Sequence, residues 1–461
     1  MRESVTEMEN LKLAIDLRDL DTFIITAKLL HPADLADSYE DLNESERDFF
    51  TSSLGAEKFA EVITELPDTI VESSMGRFSI PDQREILDQV SDDDRVDLLQ
   101  DVSDETREKL LHLVEPDDID VTRSLLSYSE DTAGGRMTTA FGKVSLRMTV
   151  KEALDELRES YQESENLSRV YVTDKTGKLI GRIRFRDLAF NTWDTPIRQI
   201  YRKCEHTISA SADQEEAAQM FSKYDLIMLP VIDENERLLG IITYDDALEI
   251  IEEESREDIE KMAGMAGDVP EDSYLNTKIN THFKRRFPWI LGLALLAIAS
   301  GLVMMQFEEV LTNFFMLSLF LPMVVAAGGN TGGQASTMVI RAMALGELEK
   351  GTTARVAWKE LKLGTLLGSS LALCVATLII FIIPHLFGNQ DDINYNMFGC
   401  TVALAITAQI MTSTLVGSLL PLGARRINID PAIVAAPAIT TIVDVSGMVI
   451  YFLIAKAILI G

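Results

Sequence analysis

The sequence predicts a multidomain membrane protein with four parts: an acidic helical domain at 1–130, a duplicated α/β domain at 131–262, a connecting helix at 263–287 and five membrane helices at 288–461. Three observations predict this organisation. Long apolar stretches are confined to the C-terminal part, acidic residues are concentrated in the rest of the chain, and a β-rich pattern occurs twice near its middle. The apolar stretches are long enough to span a hydrocarbon core of ~30 Å at ~1.5 Å of helix per residue.

Charge divides the chain in two. Met1–Phe283 contains 31 lysines and arginines against 64 aspartates and glutamates, whereas Lys284–Gly461 contains 11 against 9. The N-terminal part therefore attracts cations and repels nucleic acid, so we expect no nucleic-acid partner. The three cysteines predict no disulfide framework, because two of them lie in apolar stretches. The acidic start of the chain lacks the basic flank and apolar stretch of a signal peptide.

Short amphipathic segments predict a small superhelical solenoid in the N-terminal domain. Each segment has apolar residues at helical spacing and an acidic first turn, and a series of such helices is typical of solenoids. The segments are Pro32–Leu42, Ala56–Leu66, Pro81–Val90 and Asp93–Val102. The run Asp92-Asp93-Asp94 within this region is also consistent with simple helix capping.

A repeat occupies the middle of the chain. Asp174-x6-Gly181-x5-Asp187 recurs 59 residues later as Asp233-x6-Gly240-x5-Asp246. In each copy an acidic turn joins two predicted strands as a hairpin. The strand pairs are Arg169–Thr173 with Leu179–Ile183, and Met228–Ile232 with Leu238–Ile242. The pattern resembles a tandem of CBS domains, the paired modules that sense nucleotides or ions, over about Ala133–Ile251.

The strand end of the second repeat also resembles nucleotide-binding CBS members. Thr243 and Asp246 lie where a ribose or phosphate would meet this repeat, and Arg186 and Asp187 lie at the matching end of the first. The resemblance implies that ATP binds between the repeats as a regulator. A hairpin followed by an N-capped helix is the alternative explanation.

The segment Asp245–Glu260 contains nine acidic residues and one arginine. On a helix, pairs such as Asp246/Glu249 and Glu253/Glu257 are like-charged neighbours that repel each other by a few tenths of a kcal/mol. Oxygen ligands without histidine or cysteine suit a hard cation such as Mg²⁺. The segment therefore indicates cation binding, with a solvated acidic face as the alternative.

Five membrane helices are predicted at Pro288–Gln306, Leu311–Ile340, Leu363–Leu386, Met397–Leu422 and Pro431–Ile460. Basic residues precede the first helix, fill the loop after the second and follow the fourth, whereas the other connections carry only acidic charges. This positive-inside bias places the N-terminal domains in the cytoplasm and the C-terminus outside the cell (inner) membrane. An odd number of spans with one intramembrane carboxylate suggests a pore completed by a second subunit. A pore within one protomer is the alternative.

Asp444 lies near the middle of the last predicted span. A carboxylate at that depth costs roughly 2.5–3.5 kcal/mol on insertion scales, so it normally faces a partner or water. The second span contains Gly328-Gly329-Asn330-Thr331-Gly332-Gly333-Gln334, whose glycines allow close helix packing or free carbonyls for a cavity. We predict that this face meets the Asp444 helix along an ion pathway; packing alone would explain either feature separately.

The whole arrangement resembles the MgtE magnesium channels along nearly the full chain. The resemblance includes a connecting helix from about Asp268 to Phe287, and it depends chiefly on the glycine-rich run together with Asp430-Pro431-Ala432…Thr440-Thr441-Ile442-Val443-Asp444. It implies a homodimer in membrane lipid, with the pore between the second and fifth spans and hydrated Mg²⁺ at Asp444. Asn330, Thr440 and Thr441 would line that pore.

The resemblance also implies a Mg²⁺-selective uptake channel that cytosolic Mg²⁺ closes by bridging acidic domains. The residues assigned to this regulation are Asp93, Asp97, Asp213, Glu215, Asp225, Asp246, Glu249, Glu254, Glu257 and Asp258. One alternative is a coupled secondary transporter of Mg²⁺, Co²⁺ or Mn²⁺, and another is a membrane-tethered sensor, against which Asp444 argues. The scattered histidines and the absence of a nucleophile elbow or phosphate-binding loop argue against an enzyme.

Overall fold

The computed structural model describes residues 2–116, 118–159, 166–265, 274, 277–344, 346–348, 351–387, 394–427, 429–432 and 436–460. These residues form two compact units. The first lies within Met1–Glu253, and the second contains the remainder of the helix that starts at Tyr244 and the chain from residue 277 onward. The helical domain and the duplicated α/β domain therefore belong to one unit.

The N-terminal domain is a series of ten short helices in the described part of the chain. They are α1 (Arg2–Leu17), α2 (Leu20–Ala27), α3 (Pro32–Glu40), α4 (Glu44–Leu54), α5 (Ala56–Ile63), α6 (Asp68–Met75), α7 (Ile80–Gln89), α8 (Asp92–Gln100), α9 (Asp104–Leu111) and α10 (Ile119–Leu125). Capping side chains define several boundaries; Asn43, for example, accepts from the Glu46 N–H while Glu46 accepts from the Asn43 N–H. The four predicted segments are confirmed as α3, α5, α7 and α8.

Aromatic rings fill the core of this domain. Phe23, Tyr39, Phe50 and Phe59 are completely buried. Tyr39 makes edge-to-face contacts with Phe50 and Phe59, at ring-centroid distances of 5.2 and 5.6 Å. Such pairs add about 0.5–1.5 kcal/mol to the effect of burial, so aromatic packing holds the short helices together.

The duplicated domain contains two sheets of the same topology. The first copy comprises β1 (Phe141–Ser145), α11 (Val150–Glu159), β2 (Asn166–Thr173), β3 (Leu179–Arg184) and α12 (Phe185–Ala189). The second comprises β4 (Ile208–Ser209), α13 (Gln214–Tyr224), β5 (Met228–Ile232), β6 (Leu238–Thr243) and α14 (Tyr244–Met262). In each sheet the first two strands are parallel and the last two antiparallel, so both predicted hairpins are confirmed.

The register of the hairpins explains the glycine of the repeat. Gly181 pairs with Val172 and Gly240 pairs with Val231, equivalent positions in the two copies. A β-carbon on Gly181 would lie 2.3 Å from the Arg202 carbonyl oxygen, and one on Gly240 would lie 2.7 Å from that of Thr138. Another backbone therefore passes too close for any side chain at either position.

The membrane domain consists of α15 (Ile279–Gln306), α16 (Glu308–Asn313), α17 (Leu317–Ala344), α18 (Thr353–Thr377), α19 (Ile383–Phe387), α20 (Tyr395–Arg426) and α21 (Ala436–Leu459), with a π-helical turn at Leu378–Ile382 between α18 and α19. Four of its helical stretches are long and apolar enough to cross a membrane: Ile279–Gln306, Thr353–His385, Tyr395–Arg426 and Ala438–Leu459. The fifth long helix, α17, has 28 residues, and its middle contains four glycines together with Asn330, Thr331 and Gln334.

Several boundaries differ from the sequence prediction; the second long helix, for example, is α17 at Leu317–Ala344 rather than Leu311–Ile340, and the last is α21 at Ala436–Leu459 rather than Pro431–Ile460. The third long helix starts at Thr353 rather than Leu363, so Arg355, Lys359 and Lys362 lie on its first turns and not in a loop. These residue types favour helix, and charged turns at a membrane border extend a span at little cost. The first long helix runs continuously from Ile279 through Pro288, which joins the end of the predicted connecting helix to the first span. Residues 268–273, 275 and 276 of the predicted connecting helix lie outside the described residues.

Close contacts at glycines define the relative directions of the membrane helices. Going from Gly364 to Gly368 on α18, the facing residue on α20 changes from Thr414 to Thr407, so these two helices are antiparallel. Gly328 of α17 faces Gln409 and Gly332 faces Gly417, so α17 and α20 are parallel. This alternation is what successive membrane crossings require.

Candidate functional site

Asp444 lies on α21 against the glycine face of α17. A β-carbon on Gly329 would lie 3.4 Å from Asp444 Oδ1 and 2.9 Å from Thr440 Cγ2. The two helices therefore approach at backbone distance beside the carboxylate. Asp444 is half-buried, and among the described residues none forms an ion pair or a hydrogen bond with its carboxylate. The predicted meeting of these two helices at Asp444 is present.

The predicted pore residues surround this point. Thr440 lies one helical turn before Asp444, and Thr441 is half-buried beside it. Asn330, which follows Gly329 directly, is exposed on the surface of the protomer. A polar side chain exposed in a membrane helix needs water or another subunit next to it, so this surface is suited to either.

Sequence reasoning missed Gln409 of α20. Its side chain is almost completely buried, and its Nε2 donates to the Val443 carbonyl oxygen at 3.0 Å, immediately before Asp444. A lone glutamine within an apolar span was the available signal.

A cluster of carboxylates lies where α8 of the helical domain meets α14. Val96 of α8 belongs to the same hydrophobic core as Ile250 of α14, so the two helices pack within one unit. Burial raises the pKa of Asp97 to about 7 against an opposing effect of Arg136. Burial likewise raises the pKa of Asp246, although hydrogen bonds from Thr243 oppose it.

Glu249 and Asp94 complete this acidic cluster, which we define as Asp94, Asp97, Asp246 and Glu249. Glu249 is exposed on its outer side, but the protein around its carboxylate, together with the charges of Asp246 and Asp94, raises its pKa to about 7. Asp94 is also exposed, and crowding by protein followed by the charge of Asp245 raises its pKa. Burial and neighbouring carboxylates thus favour the protonated form of these groups, which indicates affinity for a cation.

Of the predicted regulatory positions, Asp246 and Glu249 lie close together, and Asp94, which was not predicted, connects them to Asp97 because, in addition to burial, its charge raises the pKa of all three. Asp93, which was predicted instead of Asp94, accepts from the Ser91 hydroxyl at 2.7 Å at the start of α8. The Asp92-Asp93-Asp94 run was the sequence signal for this site.

The predicted residues of α13 lie at opposite ends of that helix. Asp213 caps its N-terminus and accepts from the Glu215 N–H at 2.8 Å, whereas Asp225 ends the helix in a left-handed conformation. Eleven residues of helix separate the ends by about 16 Å. Asp225 therefore does not share a single-ion site with Asp213 and Glu215 within one protomer.

The acidic residues of α14 have protein partners. Arg136 pairs with Glu253 at 2.5 Å, Lys261 pairs with Glu257 at 2.6 Å, and Arg285 pairs with Glu260. Lys261 also contacts Asp430 at 2.8 Å. Glu254 and Asp258 lie on the same helix and are half-buried. Protein cations therefore offset part of the predicted repulsion on this helix.

Within the part of the chain that the structure describes, no three histidine, cysteine, aspartate or glutamate side chains converge closely enough to hold a metal ion directly. The acidic cluster and Asp444 offer only oxygen donors. This chemistry fits a hard cation that keeps its water shell, as Mg²⁺ does, and not a dehydrated transition metal.

Two of the four candidate nucleotide residues, Asp187 and Asp246, occupy equivalent places in the two repeats. In the first, the Arg184 guanidinium donates twice to Asp187, at 2.8 and 3.1 Å, and this contact lowers the pKa of Asp187. In the second, the Thr243 hydroxyl and N–H donate to Asp246 at 2.6 and 3.0 Å. Arg186 is largely exposed. Each strand end thus presents an aspartate that accepts hydrogen bonds from its own strand end. This is equally compatible with nucleotide binding and with a hairpin followed by an N-capped helix.

Comparison with protein families identifies all three kinds of domain. Residues 321–454 match the MgtE family of divalent cation transporters, residues 30–131 the MgtE intracellular N domain, and residues 134–191 and 197–253 the CBS domain. The magnesium transporter MgtE of Thermus thermophilus is 32% identical over 97% of this chain and 99% of its own length. The chain belongs to the MgtE family. The magnesium transporter MgtE of Bacillus subtilis is 30% identical over 97% of this chain and 96% of its own length.

Solved structures of soluble MgtE parts agree with the fold. The cytosolic domain of the Mg²⁺ channel MgtE in complex with ATP is 32% identical, with a TM-score of 0.50 over 53% of this chain and 99% of that chain. The soluble part of a magnesium transporter is 27% identical, with a TM-score of 0.50 over 55% and 99%. The family and the fold class inferred from the sequence are confirmed.

Proposed function

We propose that this protein is a Mg²⁺ channel in which Asp444 holds the hydrated ion. The half-buried Asp444 carboxylate beside the backbone of Gly329 is the observation that carries this proposal, because no described residue pairs with it and a carboxylate at membrane depth without such a partner needs a cation or water. Mg²⁺ gives up its water shell reluctantly, so a carboxylate that contacts the ion through water avoids that cost and binds monovalent ions less well. The magnesium-transporter names of the family relatives support the choice of ion.

The channel is a homodimer with its pore between α17 and α21 of the two subunits. An exposed polar stripe on α17 supports this arrangement, since Asn330, Gln334 and Thr337 lie at helical spacing on the protomer surface. Lipid would leave these groups without hydrogen-bond partners, whereas a second subunit and a water-filled path between the two would satisfy them. The soluble domains are cytoplasmic and the C-terminus lies outside, as the distribution of basic residues indicates.

Cytosolic Mg²⁺ closes the channel through the acidic cluster. Without a cation, the ionised carboxylates of Asp97, Asp246 and Glu249 oppose the packing of α8 on α14. Bound Mg²⁺ removes this opposition and favours the compact arrangement by its differential affinity for it. The residues assigned to other regulatory positions act around this contact, and Glu254, Glu257 and Asp258 modulate it from the same helix.

ATP is a second regulator of the soluble domain. Asp246 belongs both to the acidic cluster and to the strand end that faces the proposed nucleotide, so the binding of ATP and of Mg²⁺ must be linked reciprocally. The relative whose cytosolic domain was solved in complex with ATP supports this assignment.

Mg²⁺ flux into liposomes containing the purified full chain tests the proposal. We expect wild-type flux that follows the Mg²⁺ gradient and voltage, that is independent of Na⁺ and pH gradients, and that falls as Mg²⁺ on the cytoplasmic side rises. Asp444→Asn should lose most of the flux, whereas Glu309→Gln, which removes an exposed charge near the membrane border, should not. Flux driven by a Na⁺ or proton gradient would show a coupled transporter, and wild-type flux in Asp444→Asn would refute the role of the carboxylate.

A further inference from the structure

Gln409 is buried at the junction of three membrane helices. Only 1% of its surface is exposed. A β-carbon on Gly328 of α17 would lie 2.2 Å from Gln409 Nε2, and one on Gly447 of α21 would lie 2.3 Å from it. The carboxamide of α20 therefore fills the space that glycine leaves on both neighbouring helices.

The amide makes one polar contact with α21. Its Nε2 donates to the Val443 carbonyl oxygen at 3.0 Å, and the Ser446 hydroxyl donates to the same oxygen at 3.1 Å. The opposite orientation of the amide would place two carbonyl oxygens against each other, so the donor must face Val443. Val443 immediately precedes Asp444.

The oxygen of the Gln409 amide adds no hydrogen bond within the described part of the chain. Gln409 Oε1 is buried and has no hydrogen-bond partner among the described residues. Leucine or methionine would fill the same volume without burying an unpaired carbonyl, which is unfavourable in an apolar interior. Packing alone therefore does not explain a glutamine, whereas the donor to Val443 does.

We infer that Gln409 is a positioning residue that holds α21 at the Val443 carbonyl and so orients Asp444 toward the ion path, an inference that rests on the proposed function. The contact joins two parallel helices, α17 and α20, to the antiparallel α21 at the level of the carboxylate. It restrains both the rotation and the sliding of α21, because a hydrogen bond between buried groups tolerates little displacement.

Gln409→Met tests this role, since methionine keeps the bulk of the side chain and removes the donor. At subsaturating Mg²⁺ we expect flux in liposomes to fall about tenfold, equivalent to ~1.4 kcal/mol. The loss should appear as a higher half-saturating Mg²⁺ concentration, with unchanged thermal stability and oligomeric state. Ser418→Ala is the matched control: it removes a buried hydroxyl of the same helix that donates only to the Leu415 carbonyl oxygen, and it should leave flux unchanged.

Gln409→Glu provides a second, independent readout. Glutamic acid keeps the shape of glutamine and donates a hydrogen bond only when it is protonated. The ratio of flux in the variant to flux in the wild type should therefore rise as the pH falls from 8 to 6. A structural role alone would not produce this change. A Gln409→Met channel with the wild-type half-saturation would overturn the inference. If Gln409→Met does not fold, a flux ratio for Gln409→Glu that is constant with pH would overturn it instead. Absence of flux in the wild-type protein would refute the proposed function itself.

Discussion

Replacing Asp97 with asparagine should stabilise the contact between the helical domain and α14 when no divalent cation is present. Burial raises the pKa of this carboxyl from 3.8 to about 7. At ~1.36 kcal/mol for each tenfold change in the acid constant, keeping Asp97 ionised in the compact arrangement costs about 4 kcal/mol. An asparagine at this position avoids that cost but cannot bind Mg²⁺ with a charge.

The same shift determines how the contact depends on pH. An acid whose pKa is raised on docking binds its proton more tightly in the docked state, so docking is favoured at low pH and weakens as the pH rises toward and through 7. Between pH 6 and 8, Asp97 alone should lower the docking equilibrium about tenfold, or ~1.4 kcal/mol. Glu249, whose pKa is also about 7, adds an effect of the same sign that solvent screening reduces because the residue is exposed.

Hydrogen–deuterium exchange measures this docking equilibrium as the protection of backbone amides in α8 and in the first turns of α14. The full chain is used in the presence of a chelator, and the exchange rates are corrected for the intrinsic effect of pH. At pH 8 we expect α8 to be better protected from exchange in Asp97→Asn than in the wild type. The change in the docking equilibrium between pH 6 and 8 should be about tenfold smaller in the variant, and added Mg²⁺ should give it little further protection. Asp104→Asn removes the same charge from an almost fully exposed side chain on α9 and should behave as the wild type. Equal pH dependence in the wild type and Asp97→Asn would refute the argument.

Three further predictions concern other parts of the molecule. Gly329→Val should abolish most Mg²⁺ flux, because its β-carbon would lie 2.9 Å from Thr440 Cγ2 and force α17 away from α21. The control is Gly292→Val, at a glycine with open space around it. Normal flux in Gly329→Val would contradict the close approach of the two helices. The triple variant E254Q/E257Q/D258N should need more cytosolic Mg²⁺ for closure in flux assays, and unchanged inhibition would assign these residues to a solvated face. In calorimetry, ATP should bind to the full chain and Thr243→Val should weaken it; no heat with millimolar ATP, with or without Mg²⁺, would exclude the nucleotide site.

Local patterns were enough to predict the hairpins, because each depends on alternating apolar residues and an acidic turn within a short segment. The strands β1 and β4 were not predicted. β4 has only two residues, and both strands pair in parallel with a distant strand, so their pairing depends on the tertiary fold. The start of α18 was misplaced for a related reason: charged residues that favour helix also resemble a loop when hydropathy alone is used.

The site was predictable where a single residue was unusual in its surroundings. Asp444 is unusual in any apolar span, whereas Gln409 becomes significant only through a carbonyl oxygen 34 residues away. Successive residues of α8 differ in direction by ~100°, so sequence does not decide which aspartate of the Asp92–Asp94 run faces α14. The partners of Glu253 and Glu260 on α14, Arg136 and Arg285, lie far away in sequence and could not be found from it.

Charge compensation differs between the two ends of α14. Near its C-terminus, Lys261 and Arg285 neutralise Glu257 and Glu260, and Lys261 also holds Asp430 ahead of α21. Near its N-terminus, Asp246 and Glu249 face the aspartates of α8 and have raised pKa values. Both groups lie on one helix of 19 residues.

Protein cations at both ends of α14 would make its contacts permanent. A lysine or arginine in the acidic cluster would offset the repulsion at every Mg²⁺ concentration, and the docked arrangement would not respond to the ion. Because Arg136 offsets only part of the cost of burying Asp97, we expect docking to be conditional, with the differential binding of an external cation to the two states supplying the free energy that favours it. Burial, together with the charges of neighbouring carboxylates, raises the pKa of Asp97 and Glu249, so this contact is where we expect a change in Mg²⁺ concentration to act on the proposed channel.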